Sequence, residues 1–301
     1  MTGHDLHTNN ASAAGTWMLG GDLPVNRVGY GAMRLPGPDV WGEPEDPETA
    51  RAVLRRAVAH GVNLIDTAWF YGPYVADRLI VEALHPYPAD LVLVTKLGGA
   101  RRADKSWIGA DRPEELRTAC EDELRALRRD RFDLVHFRYM GEHSDTPFAE
   151  SFGAMVDLQR EGKIHHLGLS NVTLAEVREA QAMALVASVQ NLYNLVHREA
   201  EDVLDACTQD GIAFMPFFPL MVGQVNRAEG AVAAVAAAHD ATPGQIALAW
   251  LLARSPVTVL IPGTSSLAHL DENISTAAIR LTDAEIASLD NVPAMRNPLA
   301  G

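Results

Sequence analysis

The chain has 301 residues, of which 48% are hydrophobic, and it can therefore bury a large core. It carries 25 Lys and Arg against 39 Asp and Glu, and the resulting formal charge of −14 argues against nucleic acid or an anionic membrane surface as the main partner. Only Cys120 and Cys207 are present, which excludes a disulfide framework.

The first fifteen residues are polar and lack the basic start and apolar centre of a signal peptide. We expect a disordered tail over residues 1–15 and a single domain over residues 16–301. No apolar run approaches the roughly 20 residues that span a bilayer. We therefore expect a soluble, cytoplasmic protein; its oligomeric state is left open by the sequence.

Short apolar runs then alternate with segments of helical periodicity. A hairpin comes first, with strands Thr16–Leu19 and Leu23–Asn26. The strands predicted after it are residues 28–33, 63–66, 91–96, 132–137, 165–170, 187–192, 212–217 and 257–261. The predicted helices are residues 47–60, 76–84, 113–127, 148–160, 174–183, 199–209, 229–239, 242–254, 269–277 and 282–289, with Asp111 as the N-cap of the third.

Eight strands that alternate with helices predict parallel pairing through right-handed crossovers. Eight such units close into an α/β fold of the (β/α)8 TIM-barrel type, here with an N-terminal β-hairpin. An open doubly wound sheet is the alternative, but no βα turn carries the GxGxxG pattern typical of that fold. In a barrel, the functional site lies at the carboxyl ends of the strands.

Polar side chains stand at several of these strand ends. Asp66 and Tyr71 follow the second strand, and Lys96 ends the third. A lysine ammonium near a phenol stabilises the phenolate, and a carboxylate can hold that lysine in place. The three side chains therefore indicate acid–base chemistry at the mouth of the barrel.

Six motifs in order resemble those of the aldo-keto reductase superfamily, over nearly the whole chain. They are DTAWFYG at 66–72, Thr95-Lys96, GLSNV at 168–172, QNLYN at 190–194, Pro219-Leu220, and IPGTSS at 261–266 with the later Glu272-Asn273. Within the superfamily, GYGAM at 29–33, PFFPL at 216–220 and IPGTSS are similar to the bacterial pyridoxal reductase branch. The resemblance implies reduction of an aldehyde or ketone to an alcohol by hydride transfer from a nicotinamide, and pyridoxal as one candidate substrate.

By this resemblance, Tyr71 would protonate the carbonyl oxygen, Lys96 would lower the pKa of the phenol, and Asp66 would orient the lysine. The nicotinamide carboxamide would be held by Ser170, Asn171 and Gln190, and Phe217 would stack on the ring. The remaining cofactor-binding residues implied by the resemblance are Gly31, Ala32, Met33, Pro219, Leu220, Gly263, Thr264, Ser265, Ser266, His269, Glu272 and Asn273.

The fourth catalytic position departs from the family pattern. The family places a histidine five residues after the aspartate of DLxxxH, whereas Arg138 holds that position here and His136 falls two residues earlier. Alternate strand residues share a face, so His136 would lie roughly 6.6 Å deeper in the barrel, as a packing residue. The planar fork of Arg138 suits an oxyanion, either the reacting carbonyl oxygen or the acidic ring hydroxyl of pyridoxal.

The loop 263–266 resembles the family's site for an adenosine 2′-phosphate, although Gly263 stands where a lysine is common and His269 where an arginine is common. Its hydroxyl groups favour NADPH over NADH as cofactor. We expect Arg34, Trp69, Phe70 and Trp107 to contact the substrate, the last from a long loop at residues 98–112.

No metal site is expected, because the adjacent His165 and His166 should face opposite ways on a strand. Two alternatives to an aldehyde reductase stay open. One is a reductase of keto sugars or natural-product ketones. The other is a nicotinamide-binding regulatory subunit with little turnover, like the potassium-channel auxiliary relatives; the complete set of Asp66, Tyr71 and Lys96 favours turnover.

Overall fold

The computed structural model describes residues 9–220 and 230–295. Residues 1–8 of the predicted tail and Glu229, the first residue of one predicted helix, lie outside this range. In the described chain no helix is long and apolar enough to cross a membrane.

Residues 9–15 of the predicted tail are folded. Residues Ala11–Ala14 form a 3-10 helix whose N-cap is Asn10, and the Ala11 amide donates to the carbonyl oxygen of His60 at 2.9 Å. Ala11 is fully buried. The expectation of disorder is therefore wrong for residues 9–15, because this polar segment contributes one small apolar side chain to the core and is fixed by backbone hydrogen bonds.

The predicted hairpin is present, with β1 at Thr16–Leu19 and β2 at Leu23–Asn26. Leu19 and Val25 are fully buried, and they pack with Leu64, Val94 and other inward-facing strand residues. The hairpin thus covers the amino-terminal end of the strands, so the open end is the carboxyl end, where a site is expected.

The parallel strands form the predicted barrel. The strands are β3 Tyr30–Gly31, β4 Leu64–Asp66, β5 Val92–Arg101, β6 Trp107–Ala110, β7 Phe132–Arg138, β8 Ile164–Ser170, β9 Val186–Gln190 and β10 Ala213–Phe214. All except β6 pair in parallel, in the order β10-β9-β8-β7-β5-β4-β3.

Residues 257–261 take the place of the eighth barrel strand. They pair with their neighbours through isolated bridges rather than as a continuous strand. Thr258 bridges Phe214 on one side, and Leu260 bridges Val28 on the other. Gly31 and Gly263 permit this close approach, because a Cβ at Gly31 would lie 2.5 Å from the Ile261 carbonyl oxygen. The barrel is therefore closed.

Helices surround the barrel and follow the strands as predicted. They are α1 Pro47–Ala59, α2 Val75–Leu84, α3 Pro113–Ala126, α4 Phe148–Arg160, α5 Leu174–Met183, α6 Glu201–Asp210, α7 Ala231–Ala238, α8 Pro243–Arg254, α9 Leu267–Ser275 and α10 Asp283–Asp290. The larger apolar core lies between their inner faces and the outward-facing strand residues. One cap was predicted wrongly: Arg112 is the N-cap of α3, and Asp111 is buried just before it.

The segment predicted as a long loop at residues 98–112 is mostly a second hairpin. Strand β5 continues past Lys96 to Arg101 and pairs antiparallel with β6, with Gly99 opposite Gly109. The glycines and alanines of this segment give little strand signal, and the pairing between the two strands outweighs their low propensity. This β5–β6 hairpin stands at the mouth of the barrel.

Candidate active site

An ion pair lies at the centre of the barrel mouth. Lys96 Nζ donates to Asp66 Oδ2 at 2.6 Å and to the Thr67 carbonyl oxygen at 2.9 Å, and both charged side chains are almost fully buried. Gln190 Nε2 donates to the other carboxylate oxygen, Asp66 Oδ1, at 2.9 Å. Burial lowers the pKa of Lys96, but Asp66 and Tyr71 together outweigh that effect, and the net pKa is raised. Lys96 is therefore a fixed ammonium ion.

Tyr71 lies directly against this ammonium. Lys96 Nζ is 5.2 Å from the centroid of the Tyr71 ring, and Tyr71 is only 6% exposed. Burial raises the pKa of the phenol, while Lys96 acts in the opposite direction. The expected direction of the lysine effect is correct, but burial outweighs it, so the phenol keeps its proton at neutral pH. A buried, protonated phenol beside a cation can donate a proton to a carbonyl oxygen.

Arg138 ends β7 at the same mouth. Its Nη1 donates to Ser170 Oγ at 3.2 Å, and its guanidinium carbon lies 5.2 Å from the centroid of the Phe217 ring. In the described part of the chain no carboxylate forms an ion pair with it. Burial lowers the pKa of Arg138 to about 10, which still leaves it charged at neutral pH. A guanidinium in this setting is ready to receive an anion.

His136 lies deeper, as the strand spacing predicts. It is fully buried, its register partner on β5 is Lys96, and its Nε2 is 3.1 Å from Ser188 Oγ. Burial places the pKa of His136 well below its ordinary range, so the ring is neutral. A Cβ at Gly168 would come within 2.5 Å of this ring, which explains the glycine there. The prediction of an interior packing residue is confirmed.

A second layer of buried carboxyl groups stands behind the ion pair, and the sequence reasoning missed it. Thr67 Oγ1 donates to Asp77 Oδ1 at 2.8 Å, and Thr95 Oγ1 donates to Glu123. Burial raises the pKa of Asp77 to about 6 and that of Glu123 well above its ordinary value. Asp77 on α2 and Glu123 on α3 occupy the inner faces of amphipathic helices, where a charged residue is itself the signal that could have revealed them.

The predicted nicotinamide residues gather on the other side of the mouth. Ser170 and Gln190 are adjacent through the β8–β9 pairing, and Asn171, with a left-handed φ of 61°, donates its amide N–H to the Gln190 carbonyl oxygen at 3.0 Å. Phe217 is half-buried and bridges Leu192. Beyond it, Pro219 is buried and Leu220 half-buried. The structure therefore brings together polar groups and an aromatic ring along one edge.

The predicted phosphate loop follows residue 261 and leads into α9. Ser266 is the N-cap of α9 and accepts the His269 amide, while Thr264 Oγ1 accepts the Ser266 amide at 3.1 Å. Gly263, Ser265 and His269 are exposed. Across α9, Glu272 is half-buried and accepts a hydrogen bond from the hydroxyl of Thr242, and Asn273 is buried.

Arg34 lies beside this loop. A Cβ placed on Gly263 would be 2.6 Å from the Gly31 carbonyl oxygen and 3.4 Å from Arg34 Cγ. The first distance explains why a lysine is absent at residue 263, since any side chain there would collide with the backbone. The second places Arg34 next to the predicted phosphate loop, whereas the sequence prediction had assigned it to the substrate pocket. In the sequence between Gly31 and Arg34, Ala32 is buried and Met33 is half-buried.

Aromatic side chains form the opposite wall of the mouth. Phe70 makes edge contacts with Tyr71 and with Trp107, each at a centroid distance of 5.3 Å, and Trp69 contacts Phe70 at 5.9 Å. Trp107, on β6, is 43% exposed. Gly99 was not predicted, yet a Cβ on it would lie 3.4–3.5 Å from Met140, Arg138 and Phe70. The β5–β6 hairpin therefore contributes an aromatic ring to this wall and, at Gly99, a backbone that lies close to Arg138.

One expectation about histidines is wrong. The rings of His165 and His166 do not diverge: their centroids are 4.1 Å apart, and both Nε2 atoms contact the carboxylate of Asp22. They lie at the start of β8, where the hairpin turn approaches, so the strand alternation that predicts opposite directions is overridden. This cluster is at the opposite end of β8 from Ser170.

The barrel and its mouth define the class of the protein. An ammonium held by a carboxylate, a protonated phenol, and a strip of polar groups with an aromatic ring are the parts of an oxidoreductase that interconverts carbonyl and alcohol groups.

Comparison with known proteins supports this class. A model of the Aldo/keto reductase family matches residues 27–294. Pyridoxine 4-dehydrogenase of Escherichia coli (strain K12) is 47% identical over 276 residues, which cover 90% of this chain and 96% of the relative. An uncharacterized oxidoreductase of Schizosaccharomyces pombe is 41% identical over 281 residues, covering 93% of this chain and 90% of the relative.

Solved structures agree. Glycerol dehydrogenase from Gluconobacter oxydans superposes with a TM-score of 0.83 at 25% identity, covering 95% of this chain and 98% of the other. An aldo/keto reductase from Klebsiella pneumoniae, solved in complex with NADP and acetate, superposes with a TM-score of 0.76 at 27% identity, covering 94% and 96%. The chain belongs to the aldo-keto reductase family, and it is an oxidoreductase of aldehydes or ketones.

Proposed function

We propose that the protein is an NADPH-dependent reductase of aromatic aldehydes that carry an acidic ring hydroxyl, with pyridoxal as the favoured substrate. The observation that carries the proposal is Arg138, a half-buried guanidinium at the mouth that forms no ion pair with a described carboxylate. The 47% identity to an enzyme named pyridoxine 4-dehydrogenase supports the same substrate. The cell compartment we propose is the cytoplasm, with no nucleic-acid partner.

The residues present fit NADPH. Ser170, Asn171 and Gln190 offer a hydroxyl and two amides for a carboxamide, and Phe217 offers a half-buried aromatic face. At the other end, the N-terminus of α9, with Thr264, Ser265 and Ser266 before it, suits a phosphate, and Arg34 adds the cation that residue 263 cannot supply. When bound, NADPH supplies the hydride.

Tyr71 is the proposed proton donor to the carbonyl oxygen. Its phenol stays protonated because it is buried, and Lys96 stabilises the phenolate that remains after transfer. Asp66 keeps Lys96 charged and in position. Gln190 has a double role in this proposal: its side-chain Nε2 donates to Asp66, and its side-chain Oε1 would accept a hydrogen bond from a carboxamide.

Arg138 is the proposed anchor of the substrate's ring oxygen. A phenolate formed from an acidic ring hydroxyl would make charge-assisted bonds to the guanidinium, for which Ser170 already fixes one nitrogen. The aromatic wall of Phe70 and Trp107 gives the pyridine ring an apolar neighbour. The substrate would then be held by one charged contact and one aromatic face, with its aldehyde directed to Tyr71.

The test is an NADPH-oxidation screen across pyridoxal, plain benzaldehydes and keto sugars, repeated with NADH. We expect the highest kcat/KM for pyridoxal and a lower KM for NADPH than for NADH. Turnover of keto sugars alone would replace the proposal by the keto-sugar alternative. Tight NADPH binding without turnover of any carbonyl would favour the regulatory subunit, and equal KM values for the two cofactors would contradict the assignment of NADPH.

A further inference from the structure

Three metal-ligating side chains meet at the closed end of the barrel. His165 Nε2 is 2.8 Å from Asp22 Oδ2, and His166 Nε2 is 2.6 Å from Asp22 Oδ1. One donor atom from each residue lies within 4.8 Å of the other two. Two imidazoles and a carboxylate are therefore already assembled around one point.

The protein backbone fixes this arrangement. Asp22 is in the turn between β1 and β2, and the hairpin is anchored in the core by Leu19. His166 fits tightly against the same turn, since a Cβ on Gly20 would lie 2.2 Å from its Cε1 atom. The two histidines are consecutive residues of β8, so their spacing is set by the strand. Little reorganisation is needed to bring the three donors to one ion.

The site is also open to solvent on one side. The exposed fractions of the side chains are 53% for Asp22, 28% for His165 and 11% for His166. An ion can therefore approach past exposed Asp22 and partly exposed His165, while His166 is held by its surroundings. Small rotations would replace the present hydrogen bonds by coordination bonds of roughly 2.0–2.2 Å.

We propose that Asp22, His165 and His166 bind a divalent transition-metal ion, with Zn²⁺ as the favoured ion. Neutral imidazole suits Zn²⁺, Ni²⁺ and Cu²⁺, whereas Mg²⁺ and Ca²⁺ prefer sites made only of oxygen ligands. Three protein ligands leave at least one coordination position for water.

The role of the ion is structural. It would link the hairpin turn at residue 22 to residues 165 and 166 of β8. The turn and this strand are far apart in the chain. Four residues of strand, roughly 13 Å, separate His166 from Ser170 at the mouth. The ion should therefore stabilise the closed end of the barrel without taking part in carbonyl reduction.

The experiment is a calorimetric titration of the chelator-treated, full-length protein with Zn²⁺, together with its melting temperature with and without the ion. We expect one equivalent to bind and to raise the Tm. Asp22→Asn and His165→Gln should each weaken Zn²⁺ binding by at least roughly tenfold, since each removes a ligand. Co²⁺ should give a visible absorption spectrum in the parent protein that both variants lose.

Two controls address other histidines. His239→Gln removes an imidazole that contacts a single carboxylate, Glu285, at 3.0 Å, and it should leave Zn²⁺ binding unchanged. His4→Gln with His7→Gln removes two histidines outside the described residues, and it too should change nothing. Absence of binding in the parent protein, or binding that survives Asp22→Asn and His165→Gln but disappears in a control variant, would overturn the proposal.

Discussion

At the residue scale, the site divides two tasks between Tyr71 and Arg138. Tyr71 is buried and lies beside the Lys96 ammonium, which suits a proton donor. Arg138 remains charged at neutral pH, and within the described residues its guanidinium bonds to the Ser170 hydroxyl and lies over the Phe217 ring without an ion pair, which suits an anion receptor. Aldehydes that differ only in an acidic ring hydroxyl can therefore separate the two tasks.

Removing Arg138 should penalise one kind of aldehyde more than another. For Arg138→Ala we expect kcat/KM to fall about 10- to 100-fold more for 2-hydroxybenzaldehyde than for 2-methoxybenzaldehyde, because a hydrogen bond to a charged group is worth about 1.5–3 kcal/mol. Arg138→Lys serves as the matched control, because it keeps the positive charge but lacks the planar guanidinium that can donate two parallel hydrogen bonds. Equal losses for both aldehydes would leave Arg138 with a general role at the carbonyl and contradict its assignment to the ring oxygen.

The pH dependence of the two reaction directions should differ. Burial raises the pKa of Tyr71 above its ordinary value, so the phenol is protonated throughout the neutral range. Reduction needs the protonated form and should be level from about pH 6 to 9, whereas alcohol oxidation needs the phenolate and should rise with pH across that range. Steady-state rates in both directions would check this, and a fall in reduction already near pH 7 would argue against Tyr71 as the donor.

At the element scale, the β5–β6 hairpin forms part of the mouth and was hidden from sequence patterns. The positions of Asp66, Lys96 and Ser170 at the mouth could be predicted, because apolar runs of regular length lead up to them. The hairpin could not, because its glycines and alanines carry no strand signal and its pairing is decided by contact between the two segments. For the same reason, the sequence did not predict that Gly99 lies at the mouth beside Arg138.

The hairpin's role can be tested through Trp107. Its ring contacts Phe70 and lies 4.5 Å from the Arg101 guanidinium carbon, in a cation–π arrangement. We expect Trp107→Ala to raise the KM for an aromatic aldehyde roughly fivefold, from the loss of an aromatic contact of about 1 kcal/mol, with little change in the KM for NADPH. Leu185→Ala, which removes another exposed apolar side chain, provides the control. Equal KM values for the aldehyde in all three proteins would place the substrate away from the hairpin.

At the scale of the whole molecule, the barrel accommodates buried charge in two layers. Asp66 and Lys96 neutralise each other at the mouth, whereas Asp77 and Glu123 lie behind them with threonine hydroxyls as partners. The sequence indicated the first layer because its residues come at the ends of short apolar runs. The second layer has a weaker signal, a charged residue on the apolar face of each helix, and its place behind the ion pair follows only from the packing of α2 and α3. The convergence of His165, His166 and Asp22 likewise depends on the way the hairpin closes the barrel.

The second layer should make stability depend on pH. The pKa of Asp77 is raised to about 6 in the folded protein by burial, above its unfolded value of 3.8, so the folded state holds more protons between these values. By linkage, the stability that the protonated Asp77 carboxyl contributes is complete below its unfolded pKa, and it is lost as the pH rises through about 6. Asp77→Asn should therefore reduce the fall in the free energy of unfolding between pH 4 and 7 by about 2 kcal/mol. Urea denaturation at several pH values would measure it, and an unchanged pH dependence would contradict the buried-acid assignment.

Carbonyl reduction by proton donation from Tyr71 is tested most directly by Tyr71→Phe. Stopped-flow measurement of NADPH oxidation with pyridoxal should show kcat reduced by about 100-fold or more, the usual contribution of a general acid, while NADPH binding followed by fluorescence is unchanged. Tyr74→Phe, three residues along and in contact with Trp69, should retain activity. Turnover by Tyr71→Phe close to that of the parent protein, with the cofactor bound equally well, would contradict the account.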